Sequence, residues 1–269
     1  AWRQSQVQSM LVYACDPSDW KYLKRENLQM KNKSIAIAAL AIASSAATAG
    51  VVDMTYTGIG AGLTVLVHEG ANAPRDLFAG ELYHTISNGV GADAYLNGDH
   101  ITFCSDLLEA VSGGTDQYIV SEVEDMPLTA GGATPMGAVK ADAIRSLYSA
   151  SLLTLQAGGL SNAYAAAFQM TIWEIIADYD GTEASLDIAG GDTSFTAPNG
   201  HSLSSNVLSA FNDLKDDLLI AMGGGGSSFD DLVGLANEGV QDQLVVVPAP
   251  GALALLSVGG LVATRRRRS

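Results

Sequence analysis

Two short apolar segments, one near each end, limit what this chain can fold. Residues 30–49 read MKNKSIAIAALAIASSAATA. Lys31 and Lys33 make a positive start, residues 35–43 are apolar, and Ala47-Thr48-Ala49 is a small-x-small cleavage site. Such a run is too short to span a bilayer and has the form of a secretory signal peptide, cut after Ala49. Near the other end, Pro248-Ala249-Pro250 precedes a mostly apolar run over 251–263, which Arg265, Arg266, Arg267 and Arg268 stop. Terminal arginines stay on the cytoplasmic side, so this is a C-terminal membrane signal. The material available for folding is residues 50–247, enough for one domain. Residues 1–29, with Trp2, Cys15 and Trp20, precede the signal. They are expected to be absent from the mature protein, whether Met30 is the true start or they form an extended leader.

Charge narrows the function classes. Residues 50–247 hold four basic side chains, Arg75, Lys140, Arg145 and Lys215, against 26 acidic ones, a net charge of −22. A polyphosphate would be repelled, which excludes an ordinary nucleic-acid binder. Two cysteines in 269 residues exclude a disulfide scaffold. A cationic partner or divalent ions would suit the charge, and so would plain solvation of an exported surface.

The pattern predicts an α+β fold, an antiparallel β-sandwich or barrel with a helical insertion. Residues 51–67 read as two β-rich runs broken at Gly58 to Gly62, followed by strands over 76–86, 100–104 and 117–123. Ser87-Asn88-Gly89 and Asn97-Gly98 are turn signals. Thr134-Pro135 opens a first helix that Gly158-Gly159 stops; Ser161 caps a second, and Ser202 or Ser204 a third. Strands return over 184–196 and 239–247.

Once the signal peptide is removed, Cys104 is the sole cysteine. A lone thiol in an exported protein is buried and inert, bridged to another molecule, or consumed by other chemistry. On the second helix, Ala165, Gln169, Ile172, Trp173 and Ile176 share one apolar face. A primary amide there costs about 1–3 kcal/mol if unpaired, so Gln169 needs a partner. Backbone carbonyls or a buried water would serve.

Two resemblances add to this reading. The order Pro-x-Pro, apolar run and Arg cluster over residues 248–269 resembles the PEP-CTERM sorting tail of Gram-negative bacteria, with Ala249 where that motif has Glu. It implies transient membrane insertion through the tail, cutting by an exosortase after a signal peptidase has acted, and display at the cell surface or in the extracellular matrix. Phe103-Cys104 on a strand, with Phe168-Gln169-Met170-Thr171-Ile172-Trp173 on a later helix, resembles the thioester domains of bacterial surface adhesins. Their aromatic-Cys and Thr-Gln-x-Ala-Ile-Trp motifs join Cys sulfur to the Gln side-chain carbonyl with loss of ammonia. The match falls on Phe103, Cys104, Gln169, Ile172 and Trp173. It departs at Phe168 for Thr, at Thr171 for Ala, and at Ser105 after the Cys.

The resemblance implies a thioester-like domain over 50–247 that joins itself once to an amine- or hydroxyl-bearing partner, a surface or matrix nucleophile. Such a domain is not an enzyme and calls for no cofactor or metal. Phe103, Phe168, Ile172 and Trp173 are then the shielding residues, and His84 and His100 the candidates for proton transfer. The alternative is a structural or matrix protein with an inert Cys104–Gln169 pair. Rival motifs are weaker. Asp178-Tyr179-Asp180-Gly181-Thr182-Glu183 lacks a full calcium loop. Gly223 to Gly226 lacks the Lys and Ser/Thr of a phosphate loop. No motif places a base beside Cys104 for a cysteine hydrolase.

Overall fold

A computed structural model of the protein describes residues 50–128, 134–224 and 229–247. The readings of residues 1–49 and 248–269, the sorting signal included, lie outside the described residues. The strands are β1 (Val51–Glu69), β2 (Arg75–Ser87), β3 (Gly98–Cys104), β4 (Thr115–Ser121), β5 (Thr193–Thr196), β6 (Leu232–Ala236) and β7 (Gln243–Val246). The helices are α1 (Gly137–Ala157) and α2 (Asn162–Ala177), between β4 and β5, and α3 (Ser205–Gly223), between β5 and β6. The fold is mixed helix and strand, as the pattern predicts.

One antiparallel sheet of seven strands runs β2-β3-β7-β6-β4-β1-β5, and β2 also pairs with β1. That extra pairing closes all the strands except β5 into a ring. Of the sequence's two alternatives, the connectivity is that of the barrel. Strand β1 makes closure possible. Its first residues, Val51 to Thr55, pair with β4, its last, Leu66 to Glu69, with β5, and β2 follows it along most of its length. The expected break at Gly58 to Gly62 is a bend within one strand, with register shifts at Tyr56/Gly58 and Ile59/Gly62. Glycine is required there by close backbone approach: a Cβ on Gly80 would lie 2.3 Å from the Ala61 carbonyl oxygen.

The strands separate two cores. The smaller gathers Val52, Met54, Ile86, Leu96, Tyr118, Leu235 and Val245. The larger packs the other side chains of the sheet against the helices, around Phe103, Ile144, Tyr148, Phe168, Ile172, Trp173 and Leu218. At its centre α2 is buried on every side from Ala165 to Ile175, while Ile176 is only half-buried. The single apolar face expected from spacing is thus a helix enclosed by α1, α3 and strands β1, β2, β3 and β5. Its run of Ala165, Ala166 and Ala167 permits that enclosure, because small side chains let neighbours approach from every direction.

Local signals were partly right. Ser161 accepts the Tyr164 N–H and Ser204 accepts the Val207 N–H, as N-caps should. Helix α1 begins later than Thr134-Pro135 implies and has no side-chain cap. Its start is fixed by tertiary contact instead, Met136 N–H donating to the Met126 carbonyl at 2.7 Å. Only Thr193–Thr196 of the expected 184–196 strand is β, and residues 183–185 form a 3-10 turn. Upstream of β5 the backbone N–H groups of Asp187 and Ala189 bond to carboxyl oxygens, as does that of Thr193 at the first residue of β5, which holds the segment as a loop. Strand β6 escaped the sequence reading, since Gly234 interrupts its short apolar run. In the fold Gly234 leaves room for Met126, whose Cγ would lie 2.6 Å from any Cβ there.

Candidate functional site

Strand β3 loses one neighbour just where Cys104 stands. Its pairing with β2 ends at Thr102, while its pairing with β7 continues to Cys104↔Gln243. The peptide groups of Cys104 left without a strand are met by the side chain of Gln169. Cys104 N–H donates to Gln169 Oε1 at 2.8 Å, and Gln169 Nε2 donates to the Cys104 carbonyl at 2.7 Å. The buried amide thus acts as one peptide unit of a missing strand. The fold brings the two residues together across 65 positions of sequence.

The Cys104 side chain is buried and unbridged. Its thiol donates to the Asp106 carbonyl, and its sulfur accepts the Asp106 N–H at 3.2 Å. Burial pushes the thiol well above its ordinary range; contact with Asp106 backbone acts the other way, and the charges of Asp106 and Asp242 raise it further. Trp173 Nε1–H, which has no hydrogen bond of ordinary geometry, also acts to lower it. A thiolate here needs a proton acceptor and that donor.

Each residue expected to shield the pair lies in the larger core around it. The Phe103 ring meets Phe168 at 4.7 Å, and Phe168 meets Tyr148 of α1 at 5.0 Å, both edge-on. Trp173 stacks on Phe195 of β5 at 6.0 Å. Phe168, Ile172 and Trp173 are all at most 1% exposed, so bulk water is kept away.

Each candidate histidine has one ring nitrogen in a hydrogen bond. His84 and His100 face each other across β2 and β3. Thr102 Oγ1 donates to Gln243 Oε1 at 2.8 Å, so its only proton is spent, and His84 Nδ1 at 2.9 Å must be its donor. Burial lowers the His84 pKa to about 4, which keeps the ring neutral. His100 Nε2 donates to the Leu96 carbonyl at 2.7 Å. Replacing Thr102 by valine is expected to cost about 1–3 kcal/mol, because His84 and Gln243 lose their shared hydroxyl. Chemical denaturation reads this directly.

The ionisable groups gathered at the thiol are ones the sequence reading missed. Asp106 follows Cys104 by two residues, and its Oδ1 accepts the Leu108 N–H at 2.6 Å. Its Oδ2 is buried without a hydrogen bond of ordinary geometry. Burial raises the Asp106 pKa, and the neighbouring Glu109 carboxyl raises it further. Asp242 enters from the turn before β7, accepting N–H groups from Asn237 and Leu128. Its pKa is raised to about 7, chiefly by burial. The spacing Cys-Ser-Asp was in view; Asp242 carried no sequence signal. Arg75 holds this loop in place, donating to the Leu107 carbonyl at 2.8 Å and to Glu69 at 2.9 Å.

Beside the aromatic cluster opens a cavity of about 460 Å³. Phe103, Tyr148, Leu152 and Leu155 line it with Glu81, Asp99 and Asp231, and among the described residues no Lys or Arg does. Elsewhere the Asp178–Glu183 segment closes on itself, Asp180 Oδ1 taking both the N–H and the hydroxyl of Thr182. Among the described residues no group of three or more His, Cys, Asp or Glu is placed to hold a metal ion. No described helix is long and apolar enough to cross a membrane. No protein-family model, curated protein or solved structure matches the chain.

Proposed function

We propose that this is an exported surface or matrix protein whose Cys104 and Gln169 close an internal thioester, by which it attaches once and covalently to an amine- or hydroxyl-bearing partner. The observation that carries the reading is the seating of the Gln169 amide on Cys104 by two hydrogen bonds in a dry, aromatic pocket. Closure needs the sulfur to attack the Gln169 side-chain carbon. The Cys104 N–H already donates to Oε1, the oxygen on which negative charge would build, as an oxyanion donor should. The bond once formed stores an electrophile that excluded water cannot hydrolyse quickly. An amine reaching the Gln169 carbon would expel Cys104 as a thiolate and leave an amide. The acid-lined cavity at Phe103 and Tyr148 offers such an amine an approach. On the resemblance of its segments, the protein passes a signal peptidase and an exosortase on its way to the surface of a Gram-negative bacterium.

A second reading has its own observation. Both polar ends of the Gln169 side chain are satisfied by the Cys104 peptide, and the thiol donates to Asp106. An inert pair serving only to finish β3 would look the same. Intact mass of the purified protein beside a Cys104→Ala variant separates the two. A wild-type mass short by one ammonia, then raised by methylamine, with neither effect in the variant, supports the thioester. A full mass with a titratable thiol leaves a non-covalent structural protein.

A further inference from the structure

The cavity beside the aromatic cluster has a lining of two kinds. Its volume of about 460 Å³ falls in the range of small-molecule sites. Part of the lining is apolar: Phe103 of β3 meets Tyr148 of α1 edge-on at 6.4 Å, and Leu152 extends that surface one turn along the helix. Part is acidic: Glu81 of β2, Asp99 of β3 and Asp231 before β6, which no lining Lys or Arg answers among the described residues. Asp99 is held by the Thr85 hydroxyl, which donates to its Oδ1 at 2.7 Å. Glu81 is 5% exposed, accepts the Ala61 N–H on Oε2 at 2.9 Å, and forms no ion pair among the described residues. The bend of β1 closes over that oxygen, since a Cβ on Gly60 would lie 2.5 Å from it. Tyr148 is 1% exposed, and its buried hydroxyl has no hydrogen-bond partner among the described residues. A buried carboxylate without a cation and a buried hydroxyl without a partner both carry a cost, and both residues border the same space.

We propose that this cavity is a reversible binding site for a small organic cation, a primary ammonium compound with an aromatic or branched apolar body. The ammonium supplies the charge that Glu81 lacks, and the Tyr148 hydroxyl accepts one of its N–H groups. The apolar body displaces water from Phe103, Tyr148 and Leu152, whose two rings add cation–π attraction. Asp99 and Asp231 raise the local concentration of cations at the cavity. An anion is repelled by all three carboxylates. A bare metal ion does not suit the site, because much of the lining is hydrocarbon and, among the described residues, no three His, Cys, Asp or Glu are placed to hold one. A quaternary ammonium has no N–H to give to Glu81 and Tyr148, so a primary amine is preferred. The site stands whether or not the thioester forms, since neither Cys104 nor Gln169 lines it.

Calorimetric titration of the purified protein with 2-phenylethylammonium, at neutral pH and about 0.15 M salt, tests the site. Masses recorded before and after separate reversible binding from covalent capture, and Cys104→Ala is expected to bind as wild type does. Two probes divide the ligand: 2-phenylethanol keeps the ring without the charge, and ethylammonium keeps the charge without the ring. Each is expected to bind at least about tenfold more weakly than 2-phenylethylammonium. Glu81→Gln keeps an acceptor for the Ala61 N–H and is expected to weaken 2-phenylethylammonium about ten- to a hundredfold, while 2-phenylethanol binds no more weakly than before. Tyr148→Phe is expected to cost about three- to tenfold. No saturable heat up to about 10 mM 2-phenylethylammonium would overturn the site. Equal binding of the ammonium and the alcohol would overturn it too, leaving an apolar slot without preference for charge. So would ethylammonium binding as tightly as its phenyl counterpart, which is the general pull of an acidic surface. Should Glu81→Gln fail to melt cooperatively, the three probes on wild type decide alone. The mass of the unliganded chain reports the thioester separately, so either idea can fail without the other.

Discussion

Truncating Trp173 to alanine is expected to destabilise the domain by about 3–5 kcal/mol, the usual loss for a large buried aromatic. The ring is 1% exposed and sits on the all-buried stretch of α2. It stacks on Phe195, so it ties the central helix to β5. Alanine leaves a void that enclosed neighbours on all sides cannot collapse to fill. Trp173→Phe is expected to recover much of the loss, because it restores packing without the N–H. The pair separates two roles in one side chain: urea denaturation reports the packing, and, under the proposed thioester, the lifetime of the ammonia-deficient species reports the shielding. Water admitted by Trp173→Ala should shorten that lifetime, whereas Trp173→Phe should largely preserve it.

Stability is expected to rise on mild acidification. Glu174 is fully buried; its Oε1 accepts the Asp187 N–H at 2.8 Å and its Oε2 has no ordinary hydrogen bond. Burial raises its pKa to about 8, with the charges of Asp178 and Asp187 adding to the effect. Asp242 is raised to about 7 and Asp106 in the same direction. A carboxyl whose folded pKa lies above its unfolded value binds its proton more tightly when folded. Its contribution is therefore present at low pH and is lost as the pH rises from the unfolded value near 4 through the folded one. Each such group contributes a slope of about 1.4 kcal/mol per pH unit within its window.

His84 opposes this from below. Its folded pKa of about 4 lies under the ordinary 6.5, so its contribution falls as the pH drops below 6.5. One histidine is outweighed by three carboxyls, which places the optimum on the acid side of neutrality. Thermal melting at a series of pH values checks the sign. Glu174→Gln is expected to melt higher than wild type at pH 8, with a flatter dependence. A melting temperature that climbs steadily from pH 5 to 8 would contradict the argument.

The parts that sequence made legible were those decided locally or by a single unusual residue. Ser161 and Ser204 stand before helices and cap them. Gln169 amid Ile172 and Trp173 announced a buried amide that had to find a partner, and Cys104 supplies it. Strand β6 and the loop after Glu174 were not readable, because distant neighbours decide them. Gly234 makes sense only beside Met126, and Glu174 only beside the N–H of Asp187. The same reason hid Asp242, whose charge acts on the thiol from much later in the sequence. At Asp106 the spacing is visible in the sequence, but a carboxyl two residues after a cysteine forms no motif of its own.

The closure of the sheet has a consequence for crowding. A flat sheet has a first and a last strand, and either can accept a strand from a neighbouring molecule. Here every strand of the ring is paired on both sides over part of its length, and the outermost strand, β5, has only four residues. Copies packed shoulder to shoulder therefore offer one another little open backbone to fuse with. Among the described residues, the ring leaves little unpaired strand edge for a neighbouring copy to extend.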